Sequence, residues 1–505
     1  MSKKMKQSTA KYSFMKISVG HRSALGLIAS AAFFFSTPMT SLQAADAPPT
    51  TEELLQRINS LEQELKDLKA KVEQKQTSDA QTGAVAVQPG VIPAQPGTNA
   101  VQDLKSTAFI SAGPNGFMLN SGDSNFVIAL HGLVQVDSRT FFSDDKVSGN
   151  DTFLLRRARP IISGTVYRDF DFLLTPEFGG NVVQILDAQF NYRLMPELQL
   201  QVGKMKPPVG LEALQPEEFT LFNERSLATD LVPYRDIGVE LHGNLFGGAI
   251  SYAAGLFNGS PDYLTTTTNN SFDNNKSFDG RIFAQPFINT SNSALKGLGI
   301  GVAGSYQLDA GATNSANGTG LTQGFTTDGL QKFFTYSSSV ASTGDHTRIS
   351  TQGYYYWGPV GLMGEYVANN DRVSNFAKKT SANLENTAWE VSGGWVLTGE
   401  DASYYGVTPN HPFSPFNGRW GAVQIAARYA RLDVDGKAFS GGYASPATSA
   451  NEASAWSVSL NWYLNHNLRI NTGYSRTKFD GGTGTGATVT KQPEEVFFTR
   501  MQLVF

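Results

Sequence analysis

Three guanidiniums fall within four positions in the run Phe153-Leu154-Leu155-Arg156-Arg157-Ala158-Arg159-Pro160-Ile161-Ile162-Ser163-Gly164-Thr165-Val166. Arginine keeps its proton at any working pH, and its planar fork of donors matches the oxygens of a phosphate. Side by side, such groups repel one another unless an anion or several acids sit among them. The cluster therefore reads as a place to hold an anion. Other chemistries find no support. The chain has no cysteine, so it can form neither a disulfide framework nor a thiolate metal site. Its six histidines are scattered, with no HExxH, and neither a P-loop nor a nucleophile elbow occurs. No catalytic set, metal site or cofactor site is expected, and no nucleic-acid partner.

Alternation shows what element carries the cluster. Ala158, Ile162, Gly164 and Val166 share one face; Arg157, Arg159, Ser163 and Thr165 share the other. A soluble sheet would not bury such a polar face. A strand with lipid on one side and water on the other would keep it solvated. The device repeats along the chain. Phe126, Ile128, Leu130, Val134 and Val136 oppose Ala129, His131, Gln135, Asp137 and Arg139, and Trp456, Val458, Leu460 and Trp462 oppose Ser457, Ser459 and Asn461. Phe497, Thr499, Met501, Leu503 and Phe505 oppose Phe498, Arg500 and Gln502. Short turns such as Leu194–Glu197 and Asn465–Asn467 alternate with long polar stretches at Asp262–Asp279, Asp309–Gly329, Asn369–Glu385 and Gly436–Ala453. Short turns at one end and long loops at the other describe an all-β, antiparallel transmembrane barrel, and its length suits about 16 strands. A barrel of that size encloses an aqueous channel.

The strand phase points Arg139, Arg157, Arg159, Arg193, Arg348, Arg428, Arg469 and Arg500 inward, where Asp137, Asp169, Asp171, Asp187, Glu240, Glu365 and Glu390 could pair with them. A second stretch, Val202-Gly203-Lys204-Met205-Lys206-Pro207-Pro208-Val209-Gly210-Leu211-Glu212, breaks the pattern. Lys204 falls in the lipid-side phase of Leu198, Leu200 and Val202, so either a bulge resets the phase or the strand ends. Pro207-Pro208 then forbids ladder pairing. The following run to Asp236 carries Glu217, Glu218, Glu224, Arg225 and Arg235 and reads as a loop folded into the pore, with a surface loop as the alternative. Tyr354, Tyr355, Tyr356 and Trp357 read as an interfacial girdle.

Residues 1–44 have the charge, apolar core and small-residue exit of a signal peptide for Sec export. Losing six basic and no acidic residues there takes the formal charge from −4 to −10. An acidic chain can favour anions only through a local arrangement. Residues 45–75 place Leu54, Ile58, Leu61, Leu65, Leu68 and Val72 on an a/d seam, a short coiled coil expected on the periplasmic side. Residues 76–115 form a Pro/Gln/Ala linker, and 116–505 the barrel.

The segments Leu155-Arg156-Arg157-Ala158-Arg159, Glu177-Phe178-Gly179-Gly180, Leu186-Asp187-Ala188, Val202–Pro208, Asn223-Glu224-Arg225-Ser226-Leu227 and Asp236-Ile237-Gly238-Val239, in that order, resemble the phosphate-selective porins O and P of Gram-negative outer membranes. The resemblance covers most of the barrel and is densest from Phe153 to Gly259. It implies a homotrimer of 16-stranded barrels carrying phosphate, polyphosphate or other small anions along an Arg- and Lys-lined path, with outer-membrane lipid and the assembly machinery as partners. Arg156, Arg157 and Arg159 carry over by motif. Arg139, Lys204, Lys206, Arg225, Arg348 and Arg428 join them as candidate pore-lining cations, and Met501, Leu503 and Phe505 as the assembly signal. A general or sugar porin, or a structural tether built on the coiled coil, is the competing reading.

Overall fold

A computed structural model describes residues 108–505, apart from 115, 143–148, 181–182, 261, 263–274, 312–323 and 483–490. The expected signal peptide, the coiled coil and nearly all of the linker lie outside the described residues.

Sixteen long antiparallel strands close into a barrel: β3 (Phe126–Phe141), β4 (Thr152–Val166), β5 (Phe170–Glu177), β6 (Gln184–Met195), β7 (Leu198–Met205), β8 (Asp236–Leu245), β9 (Ile250–Phe257), β10 (Ser277–Ala284), β11 (Leu298–Gly311), β14 (Val340–Trp357), β15 (Val360–Asn375), β16 (Thr380–Val396), β17 (Ala422–Asp433), β18 (Ala450–Tyr463), β19 (Leu468–Gly481) and β20 (Glu494–Val504). Two short strands, β1 (Phe109–Gly113) and β2 (Gly116–Asn120), precede them; β12 (Phe325–Thr326) and β13 (Lys332–Phe334) form a small separate hairpin. Among the described residues, regular structure begins at Phe109, inside the stretch expected to be linker.

The expected phase holds on the strands that close the barrel. Outward Phe497, Met501 and Leu503 are exposed to the lipid side, whereas inward Phe498, Arg500 and Gln502 are buried. β20 pairs with β3 from Leu133 to Phe141, and below that β2 takes over, pairing Phe117–Asn120 with Val127–Leu130. The hairpin therefore covers an edge of β3 that would otherwise carry unpaired donors and acceptors in lipid. Phe505 finishes the seam. It exchanges backbone hydrogen bonds with Gly132 (2.8 and 3.1 Å). Its ring lies where a Cβ on Gly132 would be, 2.4 Å away, with Phe117 edge-on at 6.3 Å. Phe505→Ala removes the ring from this junction and is expected to lower the yield of heat-modifiable barrel in the membrane fraction. An unchanged yield would show that the packing does not secure closure.

Two expectations about the ends of the barrel need correction. Asn369–Glu385 is no loop: β15 and β16 run through it and turn at 376–379. Its polar residues mark strands that rise beyond the lipid. Conversely, 397–421, on the short-turn side, is a long connection, and its part around 402–407 folds inward while Phe413 and Trp420 pack on the outward Trp462. There Tyr404 stacks on Tyr354 (5.5 Å between ring centroids), and Tyr356 packs against Ala402 and Val407. The supposed girdle therefore splits by strand phase. Tyr354 and Tyr356 belong to the interior; Tyr355 and Trp357 are the outward pair.

Candidate functional site

The segment between β7 and β8, residues 206–235, folds into the barrel, as expected from its Pro-Pro start. It is pinned to the wall from several directions. The Leu211 amide donates to both oxygens of Glu365 (2.9 Å each), and the Leu221 carbonyl accepts from Ser459, Asn461 and Asn471 (2.8–3.1 Å). Arg469 bonds the Thr220 carbonyl at 3.0 Å, and Arg500 the Asn223 carbonyl at 2.6 Å. A turn carrying Asp328, between β12 and β13, descends on the same side and accepts from Arg428, Ser457 and Ser475. Between loop and wall lies an apolar core that includes Leu227, Leu231, Phe325, Phe333, Phe334, Val367, Leu384 and Leu432. This core fills the lumen beside the upper parts of β14–β20, while nearer the short turns a cavity of about 730 Å³ lies between Phe219, Tyr463, Arg469 and Gln502.

Open space borders the opposite wall. A cavity of about 310 Å³ is lined by inward residues of β4–β7 with Lys206, Glu217 and Arg235, and one of about 200 Å³ by β8–β10 with Lys206, His242 and Arg281. Lys206 and Leu214 border both. The Lys206 ammonium donates to the carbonyls of Ala213 (2.7 Å) and Gln215 (3.2 Å), while the Glu217 carboxylate stands 4.0 Å away. Burial pushes this ammonium down to about 8 despite Glu217.

The arginine cluster is organised by a bulge. Gln135 pairs with Arg157 and Val136 with Leu155, which leaves Arg156 as the extra residue. Plain alternation would send Arg156 toward lipid beside Ala158. Instead its Nε and Nη2 reach both oxygens of Glu224, at 2.7 and 2.9 Å. Arg139 and Arg500 meet the same carboxylate at 2.7 and 3.3 Å, and both also bond Asp137. Burial would raise the Glu224 carboxyl, but Arg156, Arg139 and Arg500 hold it well below the usual range. Arg159 pairs with Glu177 (2.5 Å) and Glu217 (2.9 Å). Burial likewise opposes the charge on Glu217, and Arg159, Lys206, Arg225 and Arg235 keep it ionised. Several acids, then, do sit among the guanidiniums, and two of them belong to the infolded loop. Arg157 differs: it donates to Gln135 at 2.6 Å and, among the described residues, has no carboxylate within ion-pair distance.

The remaining candidates separate by position. Arg225 ties the loop to itself through Glu217 and the carbonyls of Glu212 and Gln215. Arg348 holds Asp262 (2.6 Å) and the Ser260 carbonyl, and Arg428 holds Glu212 and Asp328. Lys204 does not share the lumenal phase. The register stays continuous, pairing it with outward Ala188 and Ile237, so no bulge turns it inward. Arg235, read from the sequence as part of the infolded loop, borders the larger of the two cavities beside Lys206. One wall cation, Arg281, escaped the sequence reading although it was legible: Asp279, Arg281 and Phe283 alternate with outward Phe278 and Ile282.

A closed barrel of 16 antiparallel strands with lipid-facing aromatics and a charged loop folded into the lumen defines an outer-membrane porin. The chain belongs to the phosphate-selective porin O and P family, whose profile matches residues 128–505, and it is an anion-selective diffusion channel of the outer membrane. Porin O of Pseudomonas aeruginosa is 24% identical over 410 residues, spanning 77% of this chain and 91% of that one. Among solved structures, the anion-selective porin from Comamonas acidovorans is 10% identical, covering 75% of this chain and all (100%) of its own, with a TM-score of 0.47. The channel DcaP of Acinetobacter baumannii is 11% identical over 75% and 98%, with a TM-score of 0.48.

Proposed function

We propose that the channel passes phosphate or short polyphosphates, unchanged, along the β4–β10 side of the lumen, with Lys206 as the charge they pass most closely. The observation that carries this reading is the place and state of Lys206. It borders both cavities, and its hydrogen bonds are to backbone carbonyls; Glu217 stands 4.0 Å away and is held more closely by Arg159 and Arg225, which leaves the ammonium only partly offset. Arg281 adds a second such charge: it donates to Gln352 (3.0 Å), lies over the Phe283 ring, and has no carboxylate within ion-pair distance among the described residues. Cations of this kind replace part of an anion's hydration while letting it leave. Arg139, Arg156 and Arg500 are read instead as the anchor of the loop that narrows the pore. The working unit is a homotrimer, a reading supported by the barrel class and the a/d seam, and mass measurement in detergent tests it.

Arg281 makes none of the loop's anchoring bonds, so Arg281→Gln tests selectivity without loosening the constriction. Reversal potentials in a chloride gradient are expected to move toward zero while the heat-modification temperature stays put. An unmoved reversal potential would take the path away from β10.

A further inference from the structure

The outward surface carries a second polar feature, above the lipid belt. Along β15 the outward residues Val360, Leu362, Gly364, Tyr366 and Ala368 are apolar or small, and this nine-residue stretch matches one tilted crossing of the hydrocarbon core. The next outward residues are Asn370 and Arg372. They line a groove of about 530 Å³ together with Tyr306, Thr343, Asp345, Thr347 and Asn383. The register makes the groove. Tyr306, Thr347 and Asn370 form one cross-strand row, and Arg372 pairs with Asn383 on the next. Between them β14 bulges: Ser342 pairs with Val373 and His346 with Asp371, so Thr343, Gly344 and Asp345 lie opposite Arg372 alone. Gly344 leaves room for the arginine stem; a Cβ there would stand 2.4 Å from the Arg372 Cδ. Asp345 accepts from the Tyr306 hydroxyl (3.0 Å), whereas Arg372 has no hydrogen bond or ion pair among the described residues.

We infer that this groove binds the phosphorylated-sugar headgroup of an outer-leaflet glycolipid. A guanidinium unpaired among the described residues and set at headgroup height offers a forked donor to a phosphate. Asn370, Asn383 and Thr347 offer the amides and hydroxyl that sugar hydroxyls need, and Asp345 an acceptor. The apolar strip below, Ile349, Ala368 and Tyr366, runs where the acyl chains of such a lipid would lie. A soluble anion would gain nothing from that strip, and a simple phospholipid could not use the row of amides.

The test is native mass spectrometry of the full chain in detergent, with diphosphoryl lipid A as the probe. One lipid is expected to stay on each barrel. Arg372→Gln should weaken it about tenfold, the scale of one charge-assisted hydrogen bond, and Gly344→Leu, which fills the groove, should weaken it too. Inorganic phosphate at equal concentration should not displace the lipid, and phosphatidylglycerol should bind more weakly. Wild-type affinity in Arg372→Gln, displacement by inorganic phosphate, or equal binding of phosphatidylglycerol would each overturn the site. Should Gly344→Leu fail to give a heat-modifiable barrel, Arg372→Gln decides alone.

Discussion

Glu224→Gln is expected to release the constriction loop, raising single-channel conductance and current noise and lowering the heat-modification temperature. The carboxylate meets Arg139, Arg156 and Arg500 at once, and all four side chains sit away from solvent or nearly so. An amide of the same shape can accept one bond but cannot balance the charge. Breaking such a buried network costs ~3–5 kcal/mol, because the guanidiniums stay behind uncompensated. Arg139 and Arg500 keep Asp137, so the barrel wall should survive while the loop detaches from β3, β4 and β20. The pH dependence has a definite sign. Glu224 is held below its unfolded value, so its stabilisation is complete above about 4.3 and lost as falling pH protonates the folded carboxyl. Wild-type conductance together with wild-type heat stability in Glu224→Gln would mean that the loop is held by its backbone bonds alone.

Lys206→Gln is expected to do the opposite: leave the loop in place but reduce chloride-over-potassium selectivity and weaken block of the chloride current by phosphate. The ammonium's bonds to the Ala213 and Gln215 carbonyls can be partly kept by an amide, whereas its charge cannot. Burial pushes the Lys206 ammonium down to about 8, so the charge is present below that pH and absent above it. Selectivity in the wild type should therefore fall between about pH 7 and 9, a range in which exposed lysines do not titrate, and Lys206→Gln should flatten that part of the profile. Arg281→Gln should lower selectivity at all these pH values and preserve the slope.

The barrel itself was legible because lipid imposes a strict two-residue period on its wall, and residues such as Met501 and Leu503 obey it to the end of β20. Pro207-Pro208 announced the infolded loop for an equally local reason, since it ends a ladder. What alternation could not show is pairing between residues far apart in the chain. Glu224 lies 68 positions from Arg156, and nothing local marks it as that arginine's counterion. The inward turn of Arg156 depends on a bulge whose signature exists only in the register with β3. Repulsion within the cluster was read as a demand for negative charge that a bound anion would answer; in the structure Glu224, Glu177 and Glu217 answer it at Arg156 and Arg159. The stretch at 397–421 carries polar and aromatic residues that suit a surface loop equally well, and only contacts with the constriction loop, such as the Tyr404 hydroxyl on the Leu211 carbonyl at 2.6 Å, place its part around 402–407 inside.

Cysteine labelling locates the path most directly, since the chain has no cysteine of its own. Ser251→Cys puts a thiol in the cavity beside β8–β10, and Ala455→Cys puts one in the apolar core packed against β18. With a small anionic thiosulfonate added to the bath, the current through Ser251→Cys barrels is expected to fall stepwise, and phosphate to slow the reaction, while Ala455→Cys barrels conduct unchanged. Rapid block of Ala455→Cys with Ser251→Cys unaffected would put the anion path on the opposite wall and contradict the assignment of Lys206.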